Sequence, residues 1–240
     1  MLDFDGLYLD YGGPSVIRGA SARVHPGEVV ALLGINGAGK TTLLHGLMGF
    51  LRPRRGRITL EGAGIGGLPS YEISRRGLSL VPQGRRIFKS LTVRENLTLA
   101  MRQSTQSHWN LTAVLELFPA LGERLTHGGQ QLSGGEQQML AWARALLTNP
   151  SIILMDEPTE GLSPRLVRML GELIPRLKAE KLGIFLAEQN IEFACNVADR
   201  VLILVNGTVR REISREELDR DGIRGEAAVR ILADSVQGLC

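Results

Sequence analysis

The sequence predicts a single α/β domain over residues 1–240, with a mostly parallel sheet, an antiparallel β subdomain and a helical insertion. Three observations carry the prediction. Short apolar runs such as "VVALLG", "SIILMD" and "VLILV" read as buried strands. A glycine turn leads from the first of these directly into a helix with one apolar face. From about residue 84 to 147 strand character fades, and apolar residues recur at helical spacing instead.

Taken in order, "GLYLDYG" at 6–12 alternates well enough for an edge strand, and "RITLEG" at 57–62, after the turn-rich "RPRRG", reads as another. Between them, "GEVVALLGINGAGKTTLLHGLMGFL" is strand, turn and helix, with Leu43, Leu44, Leu47 and Met48 on one face of the helix. The cluster "EGAGIGGL" reads as a flexible surface turn with no chemistry. Residues 84–147 form the helical subdomain, through "NLTAVLELFPAL" and "EQQMLAWARALL". Strands resume at "SIILMD", "LGIFLAEQ" and "RVLILV", with a helical stretch from about 164 to 180. Asn206-Gly207 between "VLILV" and "TVRREI" signals a tight hairpin, so residues 199–240 are expected to form a C-terminal hairpin and tail.

Composition narrows the function classes. No apolar run approaches the roughly 20 residues that span a bilayer. The acidic start "MLDFDG" lacks the basic flank and apolar core of a secretory signal, which predicts a cytosolic chain. Cys195 and Cys240 are too few for a disulfide framework, and no Cys or His cluster has zinc-ligand spacing. Net charge is +3, and aromatic residues, at 5%, do not interleave with a basic patch, so no nucleic-acid partner is expected.

"GINGAGKTT", Gly34 to Thr42, matches G-x-x-x-x-G-K-T with the strand and helix that the motif requires on its flanks. Its glycines let backbone N–H groups turn inward around phosphate oxygens, and the helix N-terminus adds its positive end. Gly34, Asn36, Gly37, Gly39, Lys40, Thr41 and Thr42 are therefore candidate phosphate-binding residues. Lys40 would reach the β and γ phosphates, and the Thr41 hydroxyl would ligate Mg²⁺. The loop alone suits an ATPase, a GTPase or a small-molecule kinase. No N-K-x-D guanine reader is present, and a kinase leaves the later motifs without a role.

"IILMDEP" puts Asp156 at the end of a strand and Glu157 after it, at the edge of the sheet where ligands of α/β folds bind. Asp156 is a candidate Mg²⁺ holder through water, and Glu157 a candidate to face the attacking water. "LSGGEQQ" opens a helix with Ser133 as N-cap and Glu136 completing a capping box. It serves either as a plain helix start or, with Gly134 and Gly135 leaving the backbone open, as a second anion site. Sequence reasoning cannot bring it near the first.

Together, in their order and spacing, these three motifs make the chain resemble an ABC transporter ATPase subunit, with its P-loop NTPase core, over essentially its whole length. The resemblance implies ATP and Mg²⁺. It also implies a head-to-tail pair, in which Ser133, Gly134 and Gly135 of one subunit bind the γ phosphate held by the other's Lys40. Tyr11 resembles the aromatic residue that stacks on adenine. Gln83, in "SLVPQGRRIF", resembles the glutamine joining Mg²⁺ and the attacking water to the helical insertion. Gly161, Leu162 and Ser163 fall where the family crosses its dimer seam, with Ser163 in place of the usual aspartate. The family's histidine at the end of the strand "FLAEQN" falls on Gln189, which has no proton to exchange near neutral pH. Gln189 is expected to sense the γ phosphate, and the strand end is expected to be polar because it faces phosphate.

"LAEQN" and "VPQGRRIFKSLTVRENL" narrow the resemblance to the ATPases of branched-chain amino acid importers and of the similar urea and short-chain amide importers, "VPQGR" and "DEPTEG" leaning slightly to the urea-like side. Partners implied are a second, homologous or identical ATPase subunit, with a heterodimer favoured, two membrane permeases contacted through Arg85 to Phe88, and indirectly a periplasmic solute-binding protein. The subunit would sit on the cytoplasmic face of the cell membrane. A soluble non-transport ABC ATPase is expected to need two cassettes or a coiled coil in one chain. An export subunit is usually fused to membrane helices. A non-catalytic regulatory module would most simply have lost Glu157.

Overall fold

The computed structural model describes residues 1–101 and 108–220. The tail from 221, with Cys240, lies outside the described residues. Two sheets form the frame. The larger has six strands in the order β10-β9-β3-β8-β7-β6: β10 (Thr208–Ser214), β9 (Arg200–Val205), β3 (Val29–Leu33), β8 (Gly183–Glu188), β7 (Ile152–Asp156) and β6 (Leu78–Val81). All its pairings are parallel except β10 with β9. The smaller sheet is antiparallel, ordered β2-β1-β4-β5, from β1 (Leu2–Leu9), β2 (Ile17–Val24), β4 (Arg55–Leu60) and β5 (Ala63–Gly64).

Strand period explains why the parallel strands are apolar throughout. In β3, Val29, Ala31 and Leu33 enter one core, and Val30 and Leu32 enter the other. The second core takes α1 (Lys40–Leu47), through Leu43, Leu44 and Leu47, and the inward residues of the small sheet. The first takes α6 (Gly134–Leu147), α7 (Pro164–Ala179) and α8 (Ile191–Val197). It continues into the insertion, where Leu97 on α3 (Val93–Ala100), Val114 on α4 (Leu111–Leu117), Leu121 on α5 (Pro119–Gly122) and Trp142 on α6 join the same cluster. The helical subdomain thus shares its core with the sheet. The helical stretch expected at 164–180 forms despite Pro175, because Leu170, Leu173, Ile174 and Leu177 bury one stripe of α7. α2 (Ser70–Arg75) and α9 (Arg215–Arg220) complete the α-helices of the described residues.

The structure corrects or extends the sequence reading at four places. The strand expected at 6–12 is an inner strand starting at Leu2, paired on both sides by β2 and β4. β2 itself was not anticipated, because Arg18, Gly19, Ser21 and Arg23 interrupt its apolar residues. "EGAGIGGL" is not a free turn, since it contains β5 and the fully buried Ile65. The Asn206-Gly207 hairpin forms with both residues in the left-handed region, at φ 49° and 78°. Its first strand also pairs in parallel with β3, so the hairpin is part of the main sheet. Its tip rests on the glycine turn, with the Gly207 N–H donating to the Ala38 carbonyl at 2.9 Å. A Cβ on Gly207 would lie 1.8 Å from the Val16 carbonyl oxygen.

Candidate functional site

The C-terminal ends of β3, β6, β7 and β8 lie along one edge of the sheet, and each delivers part of the site. After β3 the chain turns through Gly37 and Gly39, both at positive φ, into α1. Gly39 is the N-cap at φ 109°, a conformation strained for other residues, and no side chain caps the helix. The first N–H groups of α1 are therefore not taken up by a side-chain cap, as an anion site requires. Lys40 is buried and folds back: its Nζ donates to the Gly34 carbonyl at 2.8 Å and pairs with Glu157 Oε1 at 3.0 Å.

β7 is buried along its length and ends in Asp156, whose Oδ1 accepts from the Thr41 hydroxyl at 3.2 Å. Burial pushes the Asp156 carboxyl up to about 6; the Thr41 hydrogen bond and Lys40 oppose the rise, and the carboxylates of Glu157 and Glu160 add to it. A carboxylate so placed suits a cation. Thr41 and Asp156 offer two hard oxygens side by side. That sparse set matches an ion that takes one or two protein oxygens and completes its shell with phosphate and water, as Mg²⁺ does.

Glu157 leaves the strand at φ 46°, a left-handed conformation rare outside glycine, and its N–H is held by the Ala187 carbonyl at 2.8 Å. Its second oxygen accepts from Gln83 Nε2 at 3.2 Å, and the same amide donates to Glu160 Oε2 at 2.8 Å. Asn36, Gly37, Gly39, Lys40, Thr41, Thr42, Gln83, Glu157 and Glu160 share one cleft of about 450 Å³ with Val16. Tyr11 stands beside it, 62% exposed, with its hydroxyl 3.4 Å from Thr42 Oγ1, so its ring is open to a stacking partner.

The second anion candidate is elsewhere. Ser133 caps α6 in the expected capping box: its N–H donates to Glu136 Oε2 at 2.7 Å, and its Oγ accepts from the Glu136 N–H at 3.3 Å. The Ser133 N–H holds the Glu136 carboxyl below its usual range. A Cβ at Gly134 would stand 2.6 Å from Arg85 Nη1, and one at Gly135 would stand 2.3 Å from Leu166 Cδ1. Ser133, Gly134, Gly135, Gly161 and Ser163 line a separate cleft of about 890 Å³ that has no lining residue in common with the first.

After Gln83 the chain runs through three consecutive left-handed residues, Gly84, Arg85 and Arg86, at φ 78°, 70° and 41°. Arg144 on α6 anchors this turn: its Nη1 donates to the Arg86 carbonyl at 3.1 Å, and its guanidinium lies 4.5 Å from the Phe88 ring centre. Phe88 remains half exposed.

The expectation for "FLAEQN" is corrected in part. Glu188 is 2% exposed and turned into the fold, and Asn190 caps α8 by accepting from the Phe193 N–H at 3.0 Å. Gln189 and Asn190 are both exposed, and the Gln189 N–H is bound to Glu188 Oε2 at 3.0 Å. Sequence reasoning missed Glu160 and Glu188. The signal for Glu160 was its place three residues after Glu157, one turn on.

With this geometry in view, the family comparison is decisive: the model described as "ABC transporter" matches residues 17–160. This chain belongs to the ABC transporter family. The high-affinity branched-chain amino acid transport ATP-binding protein BraG of Pseudomonas aeruginosa is 43% identical over 211 residues, covering 87% of this chain and 91% of BraG. The lipopolysaccharide export system ATP-binding protein LptB of Acidithiobacillus ferridurans is 35% identical over 228 residues, covering 92% and 93%. Among solved structures, an ATP-binding subunit of an ABC transporter superposes with a TM-score of 0.85 at 28% identity, covering 98% of this chain and 99% of that one. The chain is thus an ATP-binding, ATP-hydrolysing ABC subunit, with the α/β P-loop NTPase fold. No helix among the described residues is long and apolar enough to cross a membrane.

Proposed function

We propose that the chain is the ATPase of a solute importer and works as one half of a head-to-tail pair. The observation that carries this reading is that Lys40 and Ser133 open into different clefts, with a third, lined by Gln83, Arg85, Glu157, Glu160 and Gly161, adjoining both. A second cassette, turned by a two-fold axis, would bring each serine turn to the other's triphosphate. Lys40 and the α1 N–H groups hold the phosphates, Tyr11 stacks on the base, and Thr41, Asp156 and Gln83 hold Mg²⁺. The metal supplies positive charge against the phosphate oxygens as charge develops on them. When Lys40 exchanges Glu157 for phosphate, Glu157 Oε1 becomes free to polarise the attacking water, which Gln83 helps to align. Gln189 senses the γ phosphate from the end of β8.

The solute class that the comparisons favour is branched-chain or other amino acids, from the BraG likeness. A urea or short-chain amide is the alternative that "VPQGR" suggests. The assembly would contain a second ATPase, two membrane permeases docked near Arg85–Phe88 and a periplasmic binding protein, with this chain on the cytoplasmic membrane face. Likeness to LptB supports a second reading, an ATPase of an export system. Uptake of labelled leucine and labelled urea in cells with and without the chain separates these readings; loss of neither favours export.

The head-to-tail geometry is tested by mixing two inactive variants, Lys40→Ala and Ser133→Arg. Each mixed pair then has both lesions in one site and an intact second site. Where the chain pairs with itself, a 1:1 mixture should recover up to about a quarter of the parent turnover, half the pairs being mixed with one good site each. No recovery from stable mixed pairs would defeat the arrangement.

A further inference from the structure

Glu188 is the buried acid that the reading above leaves without a task. Both of its oxygens are fully engaged. Oε1 accepts from the Thr159 N–H at 3.0 Å and the Thr159 hydroxyl at 2.7 Å. Oε2 accepts from the N–H groups of Gln189 at 3.0 Å and Asn190 at 3.1 Å. A buried carboxylate is a costly way to fill space, and a strand end needs no charge for packing alone. The four donors belong to two segments, and both carry groups of the hydrolytic site.

One segment is the turn from Glu157 to Leu162, closed by the Glu160 N–H to the Glu157 carbonyl at 3.1 Å and the Leu162 N–H to the Thr159 carbonyl at 3.2 Å. It carries Glu157 in its left-handed conformation, and it holds Gln83 through Glu160. The other segment presents Gln189. The Glu157 N–H to the Ala187 carbonyl is a second stitch one residue away. Between them, the two stitches leave the turn little freedom to shift against β8.

We propose that Glu188 is a positioning residue for ATP hydrolysis: its clasp on Thr159 fixes the turn bearing Glu157 against the strand end bearing Gln189. The inference rests on the assignment of Glu157 and Gln189 given above. Because the clasp touches no reacting atom, its loss misplaces Glu157 without removing any phosphate ligand. Small displacements of a reacting group are costly in rate while leaving binding largely intact.

The test uses the full chain and three variants, Glu188→Gln, Thr159→Val and Thr159→Ser. ATP turnover is measured against ATP concentration and normalised to the number of ADP-binding sites, so that unfolded protein does not count. In Glu188→Gln the amide nitrogen faces N–H donors, and kcat should fall about 10- to 100-fold with KM within about twofold. Thr159→Val should lower kcat several-fold in the same manner, and Thr159→Ser, which keeps the hydroxyl, should restore it. The double variant should be no slower than Glu188→Gln, since one clasp is lost either way.

A merely structural clasp would lower thermal stability while leaving kcat per site at the parent value, and that result overturns the proposal. If Glu188→Gln does not fold, the Thr159 pair decides alone: equal kcat in Val and Ser variants overturns it, and loss with rescue supports it. Glu157→Gln serves as the reference. Parent turnover insensitive to Glu157→Gln overturns both this inference and the functional reading beneath it. Turnover sensitive to Glu157 but indifferent to Glu188 and Thr159 overturns the inference only.

Discussion

The N-termini of α1 and α6 are both glycine-rich and both candidates for phosphate, yet they are built in opposite ways. At α1 no side chain caps the helix, and buried charge accumulates: Lys40, Asp156 and Glu157 pack within hydrogen-bonding reach of one another or of Thr41. At α6 the Ser133–Glu136 box satisfies the helix end from within, and no lysine or strand-end acid stands by. The first end has the means to bind and activate a triphosphate. The second offers a serine hydroxyl proton, open backbone and the arginines of its cleft, Arg85, Arg165 and Arg168, which suits a contributor to another subunit's site. The difference also has a thermodynamic side, because one end is held at a cost to the fold and the other supports it.

The contrast is broken most severely at Lys40. Lys40→Ala removes the buried cation of the α1 end and leaves Glu157 Oε1 without its ion-pair partner. Turnover should fall by about 10²–10³-fold, the scale for removing one preorganised phosphate or oxyanion donor. A steady-state ATPase assay checks it; activity within tenfold of the parent would mean that the charge cluster is not the catalytic end.

Asp156 sharpens the thermodynamic side. Its carboxyl is raised from an ordinary value near 3.8 to about 6, chiefly by burial. The folded chain therefore holds this proton more tightly than the unfolded chain does. The favourable contribution is complete below about pH 4 and is lost as pH climbs through about 6, leaving a deficit at neutral pH. A shift of this size corresponds to about 3 kcal/mol. Asp156→Asn keeps an acceptor for the Thr41 hydroxyl and removes the charge, so in Mg²⁺-free, nucleotide-free buffer at pH 7.5 it should raise the unfolding free energy by up to that amount. At pH 4 the gain should vanish. Denaturant unfolding at both values checks the sign.

At the α6 end the same measurement should move the other way. Ser133→Ala removes an N-cap, and stability should drop by about 1 kcal/mol at pH 7.5. Urea unfolding of Ser133→Ala beside Asp156→Asn puts the comparison in one experiment. A Ser133→Ala chain as stable as its parent would show that the box contributes nothing to folding and leave its glycines and serine to phosphate alone.

How much of this was readable depended on distance along the chain. The glycine turn, Lys40 and Thr41 are contiguous and flanked by a strand and helix whose periods differ, so their roles follow from local physics. Ser133 and Glu136 are one helical turn apart, and the box formed as read. The pairing of Gln83 with Glu160 joins residues 77 apart through the stacking of β6 beside β7, which no local pattern encodes. β2 escaped notice because its inward residues, Ile17, Ala20, Ala22 and Val24, are mostly small, and its arginines hide the alternation. At Glu188 the residue types were clear but their directions were not. Successive side chains of a strand leave on opposite faces, and once the ladder ends the turn geometry decides which of the three polar residues turns inward, here Glu188.

Gln189 gives the smallest expected effect, and it bears on whether the α1 end gets its chemistry from charge or from proton exchange. An amide can donate a hydrogen bond to phosphate but does not titrate near neutrality. Between pH 6 and 8 the turnover profiles of the parent and Gln189→Ala, measured with saturating Mg²⁺ and ATP, should therefore superimpose after scaling, the mutant lying a few-fold lower. Gln189→His introduces an imidazole with an ordinary pKa near 6.5 and should add a limb there that the parent lacks. If the parent already shows such a limb and Gln189→Ala removes it, the strand end takes part in proton transfer, and Glu157 is not the only group that handles the water's proton.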